Sequence, residues 1–267
     1  MAEESLELDG LLEACDVMIE LGQTQEALIA LGRLRDQYPD APEVCLLLGD
    51  CYYEQGDLQK ALDSYMEASF LDSDWVEPHA SMAFCLIEMG RLKGAWEEVK
   101  EALKLDENCA TAHHCKAILL EFKGRHTAAQ KEFTIAHKLD PERFFVPVRA
   151  TKEEFDSVVQ SVIQSLPSKF RELLKRIQVI VKPLPEPKDN PDEPFSPLAL
   201  GAFDGFSIRD PGAEMAPCST IYLYQKNIER VCRTKEDLVR EIQVTLIHEV
   251  GHFFGLEEED LQRLRLD

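Results

Sequence analysis

Residues 48–72 read LGDCYYEQGDLQKALDSYMEASFLD, and the punctuation of this stretch returns every 34 residues. Gly56 has counterparts at Gly22, Gly90 and Gly124. Ala61 is matched by Ala27, Ala95 and Ala129, and Ala68 by Leu34, Ala102 and Ala136. Pro39 and Pro141 share a column with Ser73 and Glu107. Agreement of several columns across four copies points to one supersecondary unit repeated in series. Each unit reads as two antiparallel helices that cannot bury their apolar stripes alone. The glycine ends the first helix, and the alanines allow close approach while Leu48, Tyr52, Leu62 and Tyr65 fill the remaining space.

This pattern closely resembles the tetratricopeptide-repeat (TPR) family over residues 8–141. The resemblance implies an all-α right-handed solenoid with a concave face lined by the first helix of each pair. That helix offers Leu46, Leu47, Tyr53, Phe84, Ile87, Ile118 and Phe122, edged by Glu20, Glu54 and Glu88. An apolar groove with carboxylates along it suits an extended or helical partner segment carrying basic and apolar side chains. The basic and asparagine clamp that some relatives use for a C-terminal carboxylate is not evident.

Charge allows that choice of partner, although acidity alone usually serves solubility. Residues 1–141 carry 28 acidic against 12 basic side chains, within a whole-chain net charge of -21. Nucleic acid and anionic membrane are repelled by such a surface. No long uncharged apolar run predicts a membrane helix, and the acidic N-terminus does not read as a secretory signal. Eight cysteines without a C-x-x-C fit reduced thiols, so a cytoplasmic protein is expected. Cys109, His113, His114 and Cys115 cluster locally, but their spacing fits no common zinc module.

Beyond Pro141 the punctuation changes. Thr151 and Glu154 form a capping-box signature ahead of the helical spacing Phe155, Val158, Val159, Val162. A short helix is predicted around 169–175, then a β-branched strand over Ile177–Val181. Residues 183–197 hold six prolines and read as a stiff surface loop. Asp204-Gly205 reads as a hairpin turn between 198–203 and 206–208. Thr220–Tyr224 alternates like a half-exposed strand. Thr234 and Asp237 cap a helix predicted to run to about Phe254 and stop at Gly255. The second half is therefore α+β.

The last helix contains His248-Glu249-Val250-Gly251-His252. Two histidines four apart share one helical face, and their rings can converge on one zinc ion while Glu249 serves as general base toward a water. Three protein ligands are usual in catalytic sites. The extension His252-x-x-Gly255-x-x-Glu258 makes Glu258 the candidate third ligand, with Glu257, Glu259 and Asp260 as neighbouring alternatives.

The C-terminal part is similar to the minimal zincin-like family of zinc metallopeptidases over residues 150–267. The residues that carry the likeness are Phe155, Leu166-Pro167, Leu200-Gly201-Ala202-Phe203-Asp204-Gly205, Ile221-Tyr222-Leu223-Tyr224 and His248 to Gly255. The resemblance implies peptide hydrolysis with zinc held by His248, His252 and Glu258, and Glu249 as catalytic base. It also implies an edge strand that pairs with extended substrate. Thr220–Tyr224 is the candidate, with Tyr222 or Tyr224 near the reacting oxygen and Arg209 available for a substrate carboxylate. The alternative is a TPR interaction scaffold carrying an inert zincin-like domain.

Overall fold

The computed structural model describes residues 2–166, 168–175, 177–186, 196–207 and 219–256. The chain divides into two compact units, 1–144 and 145–267. Among the described residues no helix is long and apolar enough to cross a membrane.

The first unit is a series of helix pairs: α1 (Ala2–Glu20) with α2 (Thr24–Gln37), α3 (Pro42–Glu54) with α4 (Leu58–Leu71), α5 (Val76–Glu88) with α6 (Leu92–Leu105), and α7 (Ala110–Phe122) with α8 (His126–Leu139). Each pair turns on the predicted glycine. Gly22, Gly56, Gly90 and Gly124 all have φ between 68° and 75°, the left-handed conformation that only glycine adopts cheaply. At Gly56 the N–H donates to Tyr53 O at 2.9 Å, and Asp57 N donates to Tyr52 O at 2.9 Å. These two bonds satisfy orphan carbonyls at the helix end, and the other three turns repeat them. The column alanines Ala27, Ala61, Ala95 and Ala129 are fully buried, as are Ala68, Ala102 and Ala136.

Polar pairs repeat as well. His79 Nδ1 lies 2.8 Å from Glu98, and 34 residues later His113 Nδ1 lies 2.6 Å from Glu132. His113 Nε2 also contacts Glu107 O, Cys109 Sγ accepts from Ala112 N, and His114 stacks on Phe144 with ring centroids 4.8 Å apart. The local cysteine and histidine cluster is thus divided among separate structural tasks. Among the described residues no group of three or more ligating side chains converges. The described cysteines are free, and all but Cys109 are buried.

The second unit contains α9 (Lys152–Ser165), α10 (Ser168–Leu174), β1 (Ile177–Lys182), β2 (Gly201–Asp204), β3 (Ser219–Tyr224), α11 (Gln225–Arg230) and α12 (Lys235–Phe253). Full capping boxes start α9 at Thr151 and α12 at Thr234. The strand order is β1-β3-β2, with β3 parallel to β1 and antiparallel to β2. Ile221 and Leu223 of β3 pack into one core with Phe155, Val159 and Val162 of α9 and Ile242, Leu246 and Val250 of α12. Full burial of each such side chain contributes roughly 1.5–3 kcal/mol.

Three local expectations need correction. Phe206 and Ser207 form no strand and the partner of β2 is β3; Ile208 lies outside the described residues. Gly205, with φ 142°, ends β2 where a methyl would collide with Ser219, so its role is close approach to β3 rather than a two-residue turn. The proline-rich stretch is not wholly surface either, since Pro185 and Pro197 are buried; residues 187–195 lie outside the described set.

A buried polar network fixes the frame of the second unit. Glu229, fully buried, accepts from Arg149 Nη1 (3.0 Å), Ala150 N (3.1 Å), Gln225 Nε2 (2.7 Å) and Lys226 Nζ (2.8 Å). Next to it, Asn227 donates to Pro197 O (2.8 Å) and Ala199 O (2.6 Å) while accepting from Arg230. The carbonyls held by Asn227 lead directly into β2.

Candidate metal centre

Helix α12 is amphipathic in two senses. Leu238, Ile242, Leu246, Val250 and Phe253 join the core. Glu241, Thr245, His248, Glu249 and His252 instead line a cleft of about 380 Å³ closed on its other side by residues 199–203. The helix stops just past the histidines. Gly255, with φ 69°, donates to His252 O at 2.8 Å, and Leu256 N donates to Gly251 O at 3.1 Å. This is the same terminator that closes the four repeat turns.

The two rings meet. His248 Nε2 and His252 Nε2 are 3.2 Å apart, with ring centroids at 4.9 Å. Two imidazole lone pairs at that distance repel unless a proton or a cation stands between them. Two nitrogens each ~2.0–2.1 Å from one tetrahedral ion lie about 3.3–3.4 Å from each other, so the donor pair fits zinc. Glu249 is 6% exposed and shares the cleft wall. Glu241 lies nearby, its carboxyl pushed above the usual range by burial.

The roof is Gly201. A methyl placed on it would stand 2.8 Å from Glu249 Oε1 and 2.8 Å from Thr245 Cγ2. Only a residue without a side chain lets β2 approach the helix this closely. Gly201 was legible as part of a motif but not as the cover of Glu249. Thr245 carried one signal, a hydroxyl one turn before Glu249 between the apolar Ile242 and Leu246.

Other predicted site residues fall elsewhere. β3 is the middle strand, so Thr220–Tyr224 is not an edge that an extended peptide can join. Tyr222 and Tyr224 alternate with Ile221 and Leu223 and therefore face away from the α12 core. The Lys182 ammonium lies 4.5 Å from the Tyr222 ring centre, and Tyr224 is 1% exposed. Neither tyrosine lines the cleft. The strand beside the cleft is β2. Arg209, Glu258, Glu257, Glu259 and Asp260 lie outside the described residues.

In the first unit, Tyr53 OH donates to Glu88 Oε1 at 2.5 Å, and the Tyr53 and Phe84 ring centroids are 5.9 Å apart. Burial, then the Glu88 carboxylate, pushes the Tyr53 hydroxyl pKa upward. Leu46, Phe84, Glu88 and Phe122 are half-buried and Glu54 is exposed, all accessible on the first helices of their pairs. Ile87 is fully buried and belongs to the interior, so it does not line a groove. Asp50, also on α3, accepts from Tyr65 OH at 2.8 Å, and burial raises its carboxyl to about 6.

Fold and site together define a helical-repeat protein joined to a small α+β domain with a histidine pair on its last described helix. Two families match accordingly: the tetratricopeptide repeat over residues 18–75, and the zincin-like metallopeptidase domain over residues 174–266. Among solved structures, a thermophilic TPR protein of Thermus thermophilus is similar at 20% identity, covering 49% of this chain and 73% of that one with a TM-score of 0.45. MamA is similar at 18% identity, covering 53% and 85% with a TM-score of 0.43. The APC/C hetero-tetramer Cut9-Hcn1 matches at 18% identity, covering 49% of this chain and 27% of that one with a TM-score of 0.45. No curated protein matches the chain.

Proposed function

We propose that the C-terminal domain is a zinc-dependent peptidase in which His248, His252 and Glu258 hold the ion and Glu249 is the general base. The observation that carries this reading is the 3.2 Å approach of two ring nitrogens in a cleft walled by a buried carboxylate. When bound, zinc supplies Lewis acidity that lowers the pKa of water and polarises a carbonyl. Glu249 takes the proton of the attacking water and returns it to the departing amine. Among the described strands β2 lies at the sheet edge and offers that side of its backbone to an extended peptide, and its Ala202 and Phe203 border the cleft.

The helical repeats select the substrate or partner. Leu46, Tyr53, Phe84 and Phe122 supply apolar contact, and Glu54 and Glu88 supply negative charge, which favours a segment with basic and apolar side chains. The buried, free cysteines suit a reducing compartment such as the cytoplasm.

Metal analysis of freshly purified protein tests the centre: about one zinc per chain is expected, lost in His252→Ala. Glu249→Gln should keep the zinc and abolish cleavage of a peptide library. A wild type with neither zinc nor cleavage would leave the scaffold reading, in which the repeats act alone and the domain is inert.

A further inference from the structure

Thr245 is 5% exposed, yet its hydroxyl has no hydrogen-bond partner in the described structure. A helical threonine ordinarily bonds back to the carbonyl one turn earlier, here that of Glu241. This one does not, although it is buried in the wall of the cleft. A buried hydroxyl without a partner costs stability, and isosteric valine would remove that cost. The hydroxyl is therefore available for a role at the cleft that Thr245 lines.

The surroundings indicate that role. Thr245 lies one turn before Glu249 on the same face of α12, where side chains four apart are neighbours. Gly201 presses on both, with Thr245 Cγ2 and Glu249 Oε1 each 2.8 Å from one and the same point. In the observed rotamer it is the methyl that faces Gly201, at the point the Glu249 carboxylate also approaches. Threonine in a helix divides between two χ1 states, and exchange between them replaces the methyl by the hydroxyl without moving the backbone.

We propose that Thr245 is a positioning residue for Glu249: by that rotamer exchange its hydroxyl donates to the Glu249 carboxylate and holds it toward the nitrogens of His248 and His252. This rests on the peptidase reading above. Thr245 itself touches neither substrate nor ion, and Gly201 keeps the space small enough for the two side chains to meet.

The experiment compares Thr245→Val, which keeps shape and loses the hydroxyl, with Thr245→Ser, which keeps the hydroxyl. Three quantities are measured: the melting temperature of metal-free protein, zinc affinity by chelator competition, and kcat and KM on a peptide cleaved by the wild type. In Thr245→Val, metal-free melting should be unchanged or higher, zinc affinity and KM should stay within about twofold, and kcat should fall about tenfold. Thr245→Ser should restore most of kcat. Two results overturn the inference while leaving the peptidase intact: full kcat in Thr245→Val, or a metal-free melting temperature several degrees lower, which would mean the hydroxyl is structurally engaged. A wild type that binds zinc but cleaves nothing would overturn the peptidase reading and this inference with it.

Discussion

Gly201 lies against Glu249 so closely that a single methyl on the glycine would stand 2.8 Å from the carboxylate oxygen. Gly201→Ala must therefore push Glu249 or lift β2. Overpacking of this kind costs about 1–3 kcal/mol. Hydrolysis should fall by more than the loss of folded protein explains, at least ~10-fold, because the displaced group is the proposed base. Zinc content should be retained. Urea unfolding beside initial rates on one peptide separates the two effects.

The histidine pair makes a thermal prediction that needs no substrate. A ligand bound only by the native state at about 100 times its Kd adds about 2.7 kcal/mol. Excess zinc should raise the melting temperature of the wild type by several degrees. The rise should vanish in His248→Ala and in His252→Ala. An equal rise in all three proteins would place the stabilising ion elsewhere.

Asp50 predicts a pH dependence in the repeat unit. Burial raises its carboxyl to about 6, so the native chain holds this proton more tightly than the unfolded chain does. Its contribution favours folding below the ordinary carboxylate range and is lost as the pH rises through about 6. Asp50→Asn still offers Tyr65 an acceptor and does not ionise. The variant should gain on the wild type by about 2 kcal/mol between pH 4 and pH 7. Paired denaturant titrations at the two pH values measure the gain; a constant difference would refute the assignment.

Glu229 is fully buried and accepts four hydrogen bonds, two of them from the cationic Arg149 and Lys226. Glu229→Ala leaves those donors facing a cavity and should cost about 3–5 kcal/mol. Glu229→Gln, which keeps the volume, should cost less. Equal losses would show that packing rather than charge carries the effect.

The repeat unit was legible because its signals are local and occur four times. A glycine that ends a helix needs φ near 70° whatever lies beyond it, and the alanine columns mark where helices touch. The spacing of His248 and His252 follows from helical pitch in the same way. What the sequence concealed depends on distant pairing. Alternation in Thr220–Tyr224 shows two faces, but not that β1, some forty residues earlier, occupies the outer side of the strand and makes it central. Ile87 falls on the same helix as Phe84 and Glu88, and only packing separates the interior side chain from the accessible ones. The pressure of Gly201 on Glu249 and Thr245 joins residues more than forty positions apart, so no window of sequence contains it.

The left-handed glycines at Gly22, Gly56, Gly90 and Gly124 have a further consequence. Each joint is closed by backbone hydrogen bonds from its own few residues, and neighbouring joints are tied only by side chains, as Gln55 donating to Gln25 and Arg91 to Gln59. Such an array resembles masonry laid with one kind of corner brick: a course can be added or removed by recombination at equivalent joints, and the reach of the array can change over evolution while the domain encoded downstream is left untouched.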